Sequence, residues 1–132
     1  MSAPRLFTTR ARARYAETDA TGIVYYANYF IYFEVGRIAM FRELGLPYDR
    51  HLPIVDTYCR YHASARFDDE LEIHSTVEQV RTKGFRIGHK VYRVHPDTSK
   101  LELLVEGYTA MVTADDDGHP VPLPPPFKAA FT

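Results

Sequence analysis

The chain has 132 residues, 45% hydrophobic and 25% charged, with a formal net charge of −1. That length supports a single domain spanning 1–132, and the balanced charge argues against nucleic acid as a partner, so any anion site has to be local. With 10 Tyr and 8 Phe but no Trp the expected core is ring-rich, while a single cysteine, Cys59, allows no internal disulfide and no thiolate metal site, which points to a reducing, cytoplasmic setting.

The first fifteen residues carry Arg5, Arg10, Arg12 and Arg14 before any acid, a faint likeness to an organelle-import segment, but they lack the apolar stretch of a secretory signal. Arg10, Arg12 and Arg14 alternate with Ala11, Ala13 and Tyr15, the two-residue period of a half-exposed strand. The uncharged run from Ala20 to Phe33 is shorter than the ~18 residues that suggest a membrane span.

From Tyr29 to Leu44 the apolar residues fall on every side of a helical wheel in the first half, which predicts a buried helix. Asn28 suits its N-cap, Gly45 its left-handed C-terminal position, and Pro47 stops continuation. Glu34 and Arg37 lie three apart on this helix, a spacing that predicts a structural ion pair.

Strands follow. Val55, Cys59, Tyr61, Ala63, Ala65 and Phe67 share one parity between 54 and 67, Leu71, Ile73 and Val77 alternate with polar residues between 70 and 78, and further strands are expected near 84–95 and 101–114. Turn-rich stretches at Asp68-Asp69, Arg81–Gly84, His95–Ser99 and Asp115–Gly118 separate them, and links this short imply antiparallel neighbours. From about 118 the chain is proline-dense, an extended surface strap whose PLPPP core could also suit an SH3-like groove. One helix and about five antiparallel strands predict an α+β fold, a curved sheet wrapped around a central helix, with a free sheet face that invites a homo-oligomer.

The chemistry concentrates before the helix. Asp19 lies in the irregular link that leads to it, and a helix start offers unpaired backbone N–H groups and partial positive charge, able to stabilise a negative oxygen that develops during acyl transfer. Gly22 allows an unusual backbone and close approach, and Asp19 could serve as base for water or as nucleophile. Asp-x-x-Gly is equally an ordinary turn signature. The six histidines show no ligand-like clustering, so no metal is assigned, and Cys59 sits where packing is expected of it.

The stretch Thr18-Asp19-Ala20-Thr21-Gly22-Ile23-Val24-Tyr25-Tyr26-Ala27-Asn28-Tyr29 resembles the signature of the hotdog-fold acyl-CoA thioesterases, of the 4-hydroxybenzoyl-CoA thioesterase and YbgC-like group. The likeness continues through Tyr32-Phe33-Glu34 and Arg37, Gly45-Leu46-Pro47, and Tyr61 to Leu71, and spans about Arg12 to Thr113. It implies hydrolysis of acyl-CoA to free acid and coenzyme A, with Asp19 as the catalytic carboxylate, the Tyr26 backbone N–H polarising the thioester carbonyl, and Gly22 beside them. Tyr25, Asn28 and Glu34 are the candidate substrate contacts. Arg81 and Lys83 are the candidate coenzyme A contacts, in a segment, Arg81–Lys100, with six basic residues against the single acid Asp97; a merely solvated hairpin is the alternative. No cofactor beyond the substrate's coenzyme A is implied, and a homodimer or homotetramer is. Many YbgC-like enzymes carry His where this chain has Tyr26, a departure that bears on substrate preference. A hydratase of the same fold would need a His that the loop lacks; a non-catalytic acyl-CoA-binding or scaffold protein is the remaining alternative.

Overall fold

A computed structural model describes residues 5–132; the start of the import-like stretch lies outside the described residues. Strand β1 (Phe7–Arg12) leads through an irregular loop to helix α1 (Tyr29–Leu44), followed by β2 (Ile54–Tyr61), β3 (Glu70–Val80), β4 (Gly84–Val94), β5 (Leu101–Val112) and a short helix α2 (Pro125–Phe131). The strands form one antiparallel sheet in the order β1-β3-β4-β5-β2. The sheet curves around α1, as the pattern of elements predicts. Among the described residues no helix is long and apolar enough to cross a membrane.

The two-residue period sets the buried face. Leu71 and Ile73 of β3 oppose Arg93 and Val91 of β4, and Leu71, Ile73 and Val91 are fully buried under Tyr29, Tyr32 and Phe33 of α1. A second cluster joins Met40 and Phe41 of α1 to Phe85, Ile87 and Met111 of the sheet. Gly36 permits this closeness, since a Cβ there would stand 2.6 Å from Ser75 Oγ and 2.7 Å from Ile73 Cγ2. Gly45 ends α1 at φ 70°, the left-handed cap its position predicts.

Four expectations need correction. Helix α1 is open on one side, where Ile31 is 40% exposed and Glu34 faces solvent. β2 ends at Tyr61 rather than near 67, because His62 and Ala63 both donate their N–H to the Leu104 carbonyl and Ala65 donates to the Tyr29 hydroxyl, which leads the chain out of the ladder. The tail is extended only as far as Pro124, pinned by Val121 N–H to the Thr113 carbonyl and Leu123 N–H to the Thr82 carbonyl. It then forms α2, whose leading prolines fit a first helical turn and whose Phe127 and Phe131 pack on Phe41 and Phe85. Asn28 occupies the N-cap position without a side-chain cap bond.

Candidate active site

The loop between β1 and α1 is closed on itself. Asp19 N–H donates to the Ile23 carbonyl at 2.9 Å and Gly22 N–H to the Asp19 carbonyl at 3.1 Å, inside a Thr18–Val24 bridge, with Gly22 at φ 86° where L side chains are strained. A Cβ on Gly22 would meet nothing within 4 Å, so the space before this turn is open. Asp19 is partly exposed, and its Oδ1 accepts the Thr21 N–H at 2.8 Å and the Thr21 hydroxyl at 2.5 Å. Those bonds favour the charged form and hold the Asp19 carboxyl below the ordinary carboxylate value. The carboxylate is therefore ionised at neutral pH, as a base or nucleophile has to be.

A 3₁₀ turn, Tyr26–Asn28, precedes α1 and presents the Tyr26 N–H at its first position. Among the described residues that N–H has no hydrogen-bond acceptor. Tyrosines wall the place: ring centroids lie 4.7 Å apart for Tyr25 and Tyr26, 6.4 Å for Tyr26 and Tyr61, and 5.6 Å for Tyr61 and Tyr29. The Tyr61 hydroxyl donates to the Tyr26 carbonyl at 2.7 Å, and burial with its neighbour Cys59 pushes Tyr61 up to about 12. Tyr25 is also raised, first by its contact with Tyr26 and in part by the charge of Asp19. Burial raises Cys59 as well, the opposite of nucleophile activation.

Glu17 lies at the base of the loop and is only 5% exposed. Its Oε1 accepts the Arg14 N–H at 2.8 Å and the Tyr32 hydroxyl at 2.9 Å, and its Oε2 the Arg14 Nε–H at 3.0 Å. Its carbonyl takes the Tyr25 N–H at 2.9 Å and the Asn28 Nδ2–H at 2.8 Å. Glu17, Thr21 and Tyr61 are the residues that sequence reasoning missed. The Asp-x-Thr spacing was the available signal for Thr21, and strand parity for Tyr61, whereas nothing local marks Glu17 as buried.

The other candidates divide. Asp19, Gly22, Tyr25 and Tyr26 share one loop. Asn28 is near them, but its amide is committed to the Glu17 carbonyl. Glu34 is a turn and a half along α1, on the rim of a cleft of about 210 Å³ with Phe30, Ile31, Arg37, Ile54, Thr57 and Thr109. The Glu34–Arg37 pair does not form: Arg37 is 3% exposed and turns to the sheet, donating to the Tyr48 hydroxyl from Nε and Nη2 at 3.2 Å and to Thr109 Oγ1 at 2.9 Å. Arg81 and Lys83, with Gln79, Arg86 and Asp56, border a hollow of about 340 Å³ at the β3–β4 turn. The loop is tied to residues at the opposite end of β3, through the Ile23–Arg66 bridge and Ala13 N–H to the Asp69 carbonyl. The eleven residues of β3, roughly 30 Å of strand, run between the end that holds the loop and the hairpin. Asp115, Asp117 and His119 gather on an exposed turn, where Asp115 Oδ1 accepts the N–H groups of Asp117 and His119, ordinary turn chemistry.

Residues 13–131 match the model of the Thioesterase-like superfamily. The chain belongs to that family. It is 32% identical to the YneP protein of Bacillus subtilis over 124 residues, 89% of this chain and 84% of that one. It is 29% identical to the acyl-CoA thioesterase YbgC of Haemophilus influenzae over 134 residues, 95% and 93% of the two chains. A crystal structure of an aspartate-to-asparagine mutant of 4-hydroxybenzoyl CoA thioesterase, complexed with 4-hydroxybenzoyl CoA, superposes with a TM-score of 0.86 at 25% identity over 97% of this chain and 99% of that one. The curved five-stranded sheet around one helix is the hotdog arrangement of these thioesterases.

Proposed function

We propose that this thioesterase hydrolyses acyl-CoA thioesters, with Asp19 as the chemical carboxylate and the Tyr26 N–H as the oxyanion donor. The observation that carries this reading is the pairing, in one closed loop, of an ionised carboxylate with an unpaired backbone N–H at a helix start. In the water route Asp19 takes a proton from water, the water oxygen bonds to the thioester carbon, and the carbonyl electrons move onto oxygen facing the Tyr26 N–H. Collapse breaks the C–S bond, and the coenzyme A thiolate leaves and takes up the proton. In the nucleophilic route an Asp19 oxygen bonds to the thioester carbon and the C–S bond breaks, giving a mixed anhydride and the coenzyme A thiolate; water then opens the anhydride, freeing the acid and the Asp19 carboxylate, and its proton passes to the thiolate. The rings of Tyr25, Tyr26 and Tyr61 are 46%, 61% and 44% exposed in the single chain, so the drying that would strengthen the N–H dipole has to come from the bound acyl group or a second copy.

Glu34, on the rim of the cleft along the open side of α1, is the proposed contact for the acyl group. Arg81 and Lys83 suit the phosphates of coenzyme A, but across roughly 30 Å of strand they serve the loop of a second copy better than their own. A dimer or tetramer, working in the cytoplasm without a further cofactor, is the assembly proposed. The test is thiol release from a panel running from acetyl-CoA to palmitoyl-CoA with benzoyl- and 4-hydroxybenzoyl-CoA, comparing wild type with Asp19→Asn. The variant should lose at least about a hundred-fold in rate, the scale of one lost oxyanion donor. Equal rates would remove Asp19 from the mechanism, and binding without thiol release by wild type would favour an acyl-CoA-binding protein.

A further inference from the structure

We propose that Glu17 is a positioning residue, a buried clamp that fixes the Asp19 carboxylate relative to the Tyr26 N–H. This rests on the thioesterase reading of the loop. Asp19 and Tyr26 approach from opposite strands of a small hairpin, and no direct bond between them sets their spacing. Glu17 does so from below. Its carbonyl accepts the N–H of Tyr25, the residue before the oxyanion donor, and the amide of Asn28, which ends the same 3₁₀ turn. Its side chain is anchored independently, by the Tyr32 hydroxyl on the buried face of α1 and by the Arg14 backbone at the exit of β1. Asp19 follows two residues later, within the turn that the Thr18–Val24 bridge closes.

Three separate pieces of chain therefore meet on one residue: the end of the first strand, the carboxylate turn and the start of α1. A buried carboxylate is costly unless its oxygens are occupied, and here they take three donors. Tyr32 is fully buried, and burial together with Glu17 holds its hydroxyl in the protonated, donating form. Removing the carboxylate leaves the buried Tyr32 hydroxyl and the part-buried Arg14 N–H without that partner, and the loop regains one only by moving. A displacement of about 1 Å in a reacting group can cost a hundred-fold in rate.

The experiment uses the full chain with four changes: Glu17→Leu, Glu17→Gln, Tyr32→Phe, and Glu17→Leu with Tyr32→Phe. Glu17→Leu should lower kcat on the order of a hundred-fold while KM stays near its wild-type value. Tyr32→Phe should lower kcat less, and the double variant should fall short of the product of the two, because both act through one bond. Glu17→Gln keeps an acceptor for the Tyr32 and Arg14 donors and should restore most of the rate. Amide hydrogen exchange supplies a readout without turnover: Tyr25 and Asn28, whose N–H groups are bonded to the Glu17 and Tyr25 carbonyls, should exchange faster in Glu17→Leu while the amides of Met40 and Phe41 stay protected. A variant that loses thermal stability yet keeps kcat, or unchanged Tyr25 and Asn28 exchange, would overturn the clamp. Silence of wild type toward every thioester would overturn the hydrolase reading instead, and the exchange result would still decide the role of Glu17.

Discussion

The core holds one titratable group whose environment makes a measurable claim about stability. His89 is 2% exposed, stacked 4.6 Å from Phe33, with Ser75 Oγ at 3.1 Å from Nδ1 and Thr109 Oγ1 at 3.3 Å from Nε2. Burial, aided by the nearby charge of Arg37, drives it from its ordinary value of 6.5 to about 3. The unfolded chain therefore binds a proton near pH 6.5 that the folded protein refuses until about pH 3. Stability carries no such penalty above the unfolded value, is lost as pH falls below it, and the loss saturates near the folded value. One proton corresponds to about 1.4 kcal/mol per pH unit, so moving from pH 7 to pH 5 should cost about 2 kcal/mol through this group. Urea unfolding at pH 7, 6 and 5 should be run on wild type and on His89→Gln, which keeps polar ends between Ser75 and Thr109 but does not titrate. The glutamine variant should be less stable at pH 7, and the gap should narrow by about 2 kcal/mol at pH 5. Exposed groups, including His51, titrate alike in both proteins and cancel. Parallel curves over this window would show that the imidazole is not held neutral by burial.

Other outcomes follow from the same geometry. Gly22→Ala meets no clash but must adopt φ 86°, a strain of about 1–2 kcal/mol; thiol release should drop, and Gly22→Asn, which tolerates this backbone better, should drop less. Phe127→Ala removes a buried ring that meets Phe41, Phe85 and Phe131, and should cost about 3 kcal/mol in urea unfolding if α2 is part of the core. Arg81→Ala with Lys83→Ala should raise KM for acyl-CoA, with kcat little changed and the effect shrinking as salt rises; an unaltered KM would leave the hairpin as a solvated turn.

What could be read in advance was whatever depends on near neighbours in sequence. The C-terminal limit of α1 follows from Gly45 and Pro47, and the buried face of β3 from the alternation of Leu71 and Ile73 with polar residues. The loop was legible as a turn with a carboxylate because Asp19 and Gly22 act over a few residues, whereas the bonds from Thr21 that hold the carboxylate were not foreseen. Longer-range competition decided the rest. Alternation carries on past Tyr61 to Phe67, but the N–H groups of His62 and Ala63 share one β5 carbonyl, which breaks the register, and a hydroxyl on α1 takes the N–H of Ala65. Spacing allows Glu34 and Arg37 to pair, yet Tyr48 and Thr109 hold the guanidinium where no periodicity reveals them. Proline density suggested an extended end, while the contacts of Phe127 and Phe131 with two distant aromatics made the last turn helical.

Thr21 offers a sharper view of the carboxylate than replacing Asp19 itself. Both of its bonds to Oδ1 stabilise the ionised form, and the hydroxyl contributes most to holding the group below its ordinary value. Whether Asp19 attacks the thioester or takes a proton from water, it acts only when ionised, so the rate should fall away in acid as it is protonated. Thr21→Val keeps the side-chain shape and the backbone N–H but deletes the hydroxyl, so the carboxylate should accept a proton at higher pH. The acid limb of kcat/KM should therefore move upward, while the plateau rate changes less than in Asp19→Asn. A nucleophile or base that has lost a stabilising donor is also intrinsically more basic, which works against any fall in that plateau. An acid limb that does not move when the hydroxyl is removed would mean that another group sets it, and that the ionisation of Asp19 is not what the reaction senses.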